Sequence, residues 1–332
     1  MTSLDLPFVF MVLMGLAMLA YVILDGFDLG VGILLPFAPR EEQDLMVSSI
    51  GPFWDANETW LVLGVGILLV AFPHAHGVIL TALYLPVAAM LIGLIVRGVA
   101  FEFRVKATGW HRDLWNHLFS AGSLVAALSQ GIMLAGVVTG FADGAKFTAF
   151  GWAVGAGLAG AYALLGGTWL VIKCEGDVQR KAMMWSRYAV AFAAAGVAAI
   201  SLAMPYANPG IYAKWFTADN LVRLAPLPIL SAAAFVGIWL ALGRLLHGKS
   251  RKEWLPFVLA VWVFVFAFAG LAYSLYPYLV VDRMTIWQAA AAPESLRFVL
   301  WGVIVVLPMI IGYTLFSYRV FWGKTRHLTY GA

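Results

Sequence analysis

The sequence predicts an all-α, polytopic membrane protein with nine transmembrane helices. Three observations carry that reading. Of 332 residues, 63% are hydrophobic and only 11% are charged, less than half of the roughly 25% charge that a water-facing domain carries. The 14 Trp, 22 Phe and 12 Tyr residues form an aromatic excess of the kind found in membrane–water interface belts. Nine apolar runs reach the length of about 20 residues that a bilayer core requires.

The runs cover residues 6–36, 51–73, 77–103, 118–139, 148–172, 188–208, 224–243, 254–280 and 298–318. The first has no Lys or Arg ahead of it and no small-residue cleavage site, so it reads as a retained helix rather than a signal peptide. None of the runs alternates, which argues against a transmembrane barrel. Gly151, Gly155, Gly157, Gly160, Gly166 and Gly167 crowd the fifth span, a composition that suits close helix packing. No loop is long enough for a soluble domain. We therefore expect one transmembrane domain over residues 1–332. A first four-helix bundle would occupy about 1–140, a second 145–281, and a ninth, peripheral helix 298–318.

Basic residues orient the chain. Sixteen of the 21 Lys and Arg residues fall on the side that holds the C-terminus, and five fall on the other. The positive-inside rule then places the N-terminus outside and the C-terminus in the cytoplasm. The net charge of +4 is too small and too dispersed for a nucleic-acid surface. The single cysteine, Cys174, excludes an intrachain disulfide. No Walker A loop, dinucleotide fingerprint or catalytic triad spacing is present.

The chemistry gathers in the first third of the chain. A charged side chain at the middle of a span costs about 2.5–3.5 kcal/mol on insertion scales, so each needs a reason. Span 1 carries Asp25 and Asp28 within Leu24-Asp25-Gly26-Phe27-Asp28-Leu29-Gly30. Span 2 opens with Trp54-Asp55-Ala56-Asn57-Glu58-Thr59-Trp60, and span 3 ends in Arg97, Glu102, Arg104 and Lys106. Asp25 with Asp28 and Asp55 with Glu58 are i,i+3 pairs, and Glu102 with Lys106 is an i,i+4 pair in the favourable order. Arg97 and Arg104, seven apart, share a face. Alternating topology puts all eight on the cytoplasmic side as one expected cluster of five acids and three bases. On spacing alone such a cluster is either a structural ion network or a proton-conducting one.

Other candidates are weaker. His74 and His76 form an H-x-H pair in a short outside turn, while His111, His117, His247 and His327 lie near the cytoplasmic face. No two spans carry facing histidines for a haem sandwich. Met90, Met133 and Met309 read as packing residues rather than axial ligands. We expect no metal site in this chain.

The stretches from Tyr21 to Gly32, from Ser49 to Leu61, from Arg97 to Arg104, and from Leu164 to Leu170 with Lys173 and Gly176 resemble subunit II of the cytochrome bd-type quinol oxidases, which include the cyanide-insensitive oxidases. The resemblance covers the whole chain and its nine spans. It implies a subunit of an electrogenic enzyme of aerobic respiration in the bacterial inner membrane. The partner, subunit I, would carry the haem b and haem d groups and the quinol site. This chain would bind no haem itself, would support haem assembly, and would lend Asp55, Glu102 and Lys106 to a cytoplasmic proton route. Asp25, Asp28, Glu58, Arg97 and Arg104 would support that route. A structural quinone, lipids and small single-helix subunits are further expected partners. Ala56 stands where the family usually has Gly, and Cys174 where Thr is common. A stand-alone proton-coupled transporter would share the buried carboxylates, but it predicts broken helices at matching positions of two repeats. An inert scaffold is the third alternative.

Overall fold

The computed structural model describes residues 5–325. Nine helices in it are long and apolar enough to cross a membrane. They are α1 (Leu6–Leu34), α2 (Trp54–Ala71), α3 (Tyr84–Lys106), α4 (Trp110–Val138), α5 (Ala145–Lys173), α6 (Gly176–Ala207), α7 (Pro226–Leu246), α8 (Leu255–Leu275) and α9 (Pro293–Val320). Several extend beyond the apolar runs. The polar starts of α4 and α6 remain helical because backbone hydrogen bonding does not stop where hydrocarbon does.

Two local features depart from the apolar pattern. The third run is split into a short helix, Pro73–Ala82, and α3, with Leu83 between them. Pro86 explains the break, because it has no N–H to offer the Ala82 carbonyl. The eighth run ends early, and its last residues form the strand Tyr278–Val280, paired antiparallel with Met284–Thr285. Pro308 lies inside α9, which stays helical through it.

Packing centres on α1 and α5. Residues 25–32 of α1 and 162–171 of α5 are buried all round. α1 packs on α2, α4, α5 and α8, and α3 packs on α4. α4 meets α5, while α5, α6, α7 and α8 pack in sequence, with α8 returning to α5. α9 leans on α2 and α1 and buries only Leu296 and Ser317, so it is peripheral.

The α1–α5 crossing brings backbone against backbone. A Cβ on Gly30 would sit 1.8 Å from the Tyr162 carbonyl oxygen, and one on Gly166 would sit 2.3 Å from the Gly30 carbonyl carbon. The glycines of span 5 serve this approach, as small residues do between membrane helices. Gly30→Ala is therefore expected to sharply reduce the folded chain in membranes, because α1 and α5 must separate. Gly66→Ala, where nothing lies within 4 Å of the new Cβ, should accumulate at the parent level. Equal accumulation of both variants would show that the crossing tolerates separation.

Candidate functional site

The buried charges are brought together by three helices. Asp25 and Asp28 are fully buried in α1, Arg97 is buried in α3, and Glu58 of α2 is half-buried. The Arg97 guanidinium forks between two acids. Nη1 donates to Asp25 Oδ1 at 2.7 Å, and Nη2 donates to Glu58 Oε1 at 2.5 Å. Its planar donor set makes one side chain sufficient to tie α1, α2 and α3 together. Trp54 covers the guanidinium, with its ring centroid 6.0 Å from the Arg97 Cζ. Gly122 of α4 leaves room for the α3 backbone beside it, since a Cβ there would lie 2.5 Å from the Gly93 carbonyl oxygen.

Asp28 does not share this arginine. Its Oδ2 accepts from Asn57 Nδ2 at 2.8 Å, and Asn57 Oδ1 accepts from the Tyr318 hydroxyl of α9 at 3.1 Å. Asp25 Oδ2, Asp28 Oδ1 and Arg97 Nε are buried without a hydrogen-bond partner. Four residues from Asp25, the Tyr21 hydroxyl accepts from Gln130 Nε2 at 2.7 Å. Gln130 Oε1 in turn accepts from the Tyr162 hydroxyl at 2.5 Å. A polar chain thus reaches from α5 through α4 to α1.

The structure divides the single expected cluster. Arg104 belongs to a second network at the ends of α3 and α4. It donates to Asn116 Oδ1 and to Asp44 Oδ1, both at 2.8 Å, while Asp44 Oδ2 pairs with Arg112 at 2.5 Å. Asp44 lies on the short helix Arg40–Ser48 after α1. Asp55, Glu102 and Lys106 are exposed. Among the described residues none of the three forms an ion pair, so the favourable i,i+4 spacing of Glu102 and Lys106 is not realised as a contact. Asp55 and Glu58 also part company, one facing out and the other turned onto Arg97. Spacing on a helix permits a contact without requiring it, and Glu58 turns instead to Arg97 on the neighbouring helix.

Asn57, Tyr318, Tyr21, Gln130 and Tyr162 carry no charge, so a count of charged residues does not find them. The signal for Gln130 is a lone amide in an apolar run, and that for Asn57 is its place between Asp55 and Glu58.

At the basic end of α5, Lys173 Nζ donates to the Phe321 and Gly323 carbonyls at 2.7 and 3.0 Å. Lys324 pairs with Glu253 at 2.5 Å and donates to the Cys174 carbonyl at 3.0 Å. Burial pushes the Cys174 thiol up to about 12, although the Lys324 and Lys173 ammonium groups pull it down. Only thiolate reacts with alkylating reagents. Folded protein at pH 8 should therefore resist maleimide, with a labelling rate that climbs about tenfold per pH unit as the pH rises. Labelling at pH 8 as fast as that of the denatured chain would show that the thiol is neither buried nor suppressed.

Among the described residues no histidine is fully buried. His74, His111, His117 and His247 are exposed and His76 is half-buried, whereas axial ligation calls for side chains held beneath the macrocycle. His327 lies outside the described residues. Among the described residues no group of three His, Cys, Asp or Glu side chains gathers to hold a metal ion.

Comparison with known proteins gives a concordant result. A family model described as cytochrome bd terminal oxidase subunit II matches residues 6–321. The chain is 26% identical over 372 residues to cytochrome bd-I ubiquinol oxidase subunit 2 of Escherichia coli (strain K12), across 96% of this chain and 95% of that one. It is also 26% identical over 345 residues to cytochrome bd ubiquinol oxidase subunit 2 of Bacillus subtilis (strain 168), across 95% and 96%. The fold matches a chain of the bd oxidase from Geobacillus thermodenitrificans with TM-score 0.80, 19% identity, and coverage of 96% of this chain and 99% of that one. At that identity the likeness is one of fold.

Proposed function

Because the chain belongs to the cytochrome bd terminal oxidase subunit II family, we propose that it is the haem-free half of a bd-type quinol:oxygen oxidoreductase, which reduces dioxygen to water. Its partner is a subunit I that carries haem b, haem d and the quinol site. Quinol, lipids, a structural quinone and small single-helix subunits complete the set of partners. The chain supports haem assembly in that partner and carries protons toward it from the cytoplasm. Its C-terminus faces the cytoplasm, in keeping with the 16 basic residues on that side. We group helices α1–α4 and α5–α8 as two bundles, joined where α5 packs on α1 and α4.

The observation that carries the proton reading is the Asp25–Arg97–Glu58 triad with Asp28 beside it. Three carboxyl groups lie around one guanidinium that pairs with two of them, in a place where water does little to compensate charge. Such a site has capacity to take up protons. Reduction of dioxygen to water consumes one proton per electron, so buried haems need a route of titratable groups. Asp55, Glu102 and Lys106, exposed at the ends of α2 and α3, are the groups we assign to its mouth. Glu58, one turn inside Asp55, leads inward to Arg97 and Asp25. Arg104, held by Asp44, fixes the end of α3.

One experiment tests assembly and orientation together. A fluorescent protein fused after Ala332 should glow in the cytoplasm and, used as a handle, should bring down a second membrane chain whose absorption bands are those of b and d haems. Recovery of this chain alone, free of haem, would reject the oxidase assignment. An outside-active reporter working at the same position would reverse the orientation.

A further inference from the structure

α6 and α7 leave an apolar groove of about 220 Å³ between them. Val190, Ala191 and Ala194 line it from α6, and Phe235, Val236 and Trp239 line it from α7. Val236 and Trp239 are 59% and 42% exposed, so the groove opens on the flank of the bundle, toward hydrocarbon. The groove exposes no polar surface in its lining, so it suits an acyl chain rather than water.

The end of the groove is not apolar. Residues 187, 190, 191 and 194 follow the i, i+3, i+4, i+7 spacing of one helical stripe, which sets Arg187 at the head of the α6 wall. The Arg187 Cζ lies 4.2 Å from the centroid of the Trp239 ring. That contact holds the guanidinium against the groove wall. Arg187 has no ion-pair partner among the described residues. Its Nε is buried and makes no hydrogen bond. The end of the molecule is the basic one. α6 starts there with Arg180 and Lys181, and α7 ends there with Arg244.

We propose that this groove binds an anionic phospholipid from the leaflet at the basic end, with an acyl chain between α6 and α7 and its phosphate on the Arg187 guanidinium. The forked donors of arginine match phosphate oxygens two at a time. A cation at headgroup depth, facing lipid and lacking a protein anion, takes its counter-charge from the membrane. Phosphatidylethanolamine also presents a phosphate, but its own ammonium competes for it. The groove should therefore prefer phosphatidylglycerol.

The test uses the purified membrane complex that contains this chain. Stripped of lipid and titrated with phosphatidylglycerol or phosphatidylethanolamine, it is weighed by native mass spectrometry. The parent should retain phosphatidylglycerol about tenfold more tightly, the scale of one charge-assisted hydrogen bond. Arg187→Gln should lose that preference and leave phosphatidylethanolamine retention unchanged. Ala194→Trp, which fills the groove, should lower retention of both lipids. Equal retention of the two lipids by the parent would overturn the proposal. So would unchanged phosphatidylglycerol affinity in Arg187→Gln, which is decisive even where Ala194→Trp fails to assemble.

Discussion

Arg97→Met is expected to remove most of the assembled protein from the membrane. The arginine is 1% exposed and Asp25 is 0% exposed, so the lost charge cannot be replaced by water. Met keeps much of the side-chain volume and deletes both hydrogen bonds. Asp25 and Glu58 would then confront each other, with Asp28 three residues along α1. Breaking a buried pair by removing one partner costs about 3–5 kcal/mol, because an uncompensated charge is left behind. Against a typical total stability of about 5–15 kcal/mol, that loss is large. Arg97→Lys should recover only part of it, since a point charge does not fork between acids on two helices.

Neutralising the acids separates charge from shape. The triple variant Arg97→Met, Asp25→Asn, Glu58→Gln should assemble better than Arg97→Met alone, because amides need no counter-ion. The amount of intact complex and its thermal midpoint measure this. If Arg97→Met reaches the parent level and midpoint, the triad does not hold α1, α2 and α3 together.

How much of this was visible in the sequence follows from the physics of each contact. Lipid forces a long apolar run for every crossing, so nine spans could be counted with no knowledge of packing. The acids in the spans were visible for the same reason, being costly wherever they sit. Partner choice was not visible. Arg104 pairs with Asp44, 60 residues earlier, on a short helix that no apolar period announces. Asp28 takes its one side-chain hydrogen bond from the uncharged Asn57 rather than from an arginine. The hairpin at Tyr278–Val280 was hidden because apolar strand residues continued an apolar helical run. Close approach leaves a clearer mark. Gly30 and Gly166 were legible as small residues, while their meeting across α1 and α5 was not.

The largest functional effect should come from neutralising the exposed acids. Asp55 lies in the first turn of α2, and Glu102 lies one turn before Lys106 at the end of α3. Neither acid forms an ion pair among the described residues, so their removal should spare the fold, unlike removal of Arg97. Asp55→Asn and Glu102→Gln keep side-chain shape and much hydrogen-bonding capacity while deleting the site that accepts a proton. Each complex should therefore assemble with a normal haem spectrum. Quinol-driven oxygen consumption should fall roughly 100-fold, the lower end of what a positioned proton-transfer group contributes. The defect should ease as pH falls, because a higher proton concentration compensates for slow capture. Glu58→Gln separates the two layers of the site. Its carbonyl can still accept from Arg97, so slow turnover with intact assembly would extend the route inward from Asp55. If Asp55→Asn and Glu102→Gln both turn over at the parent rate across the pH range, the exposed acids are bystanders and protons reach the haems by groups of subunit I.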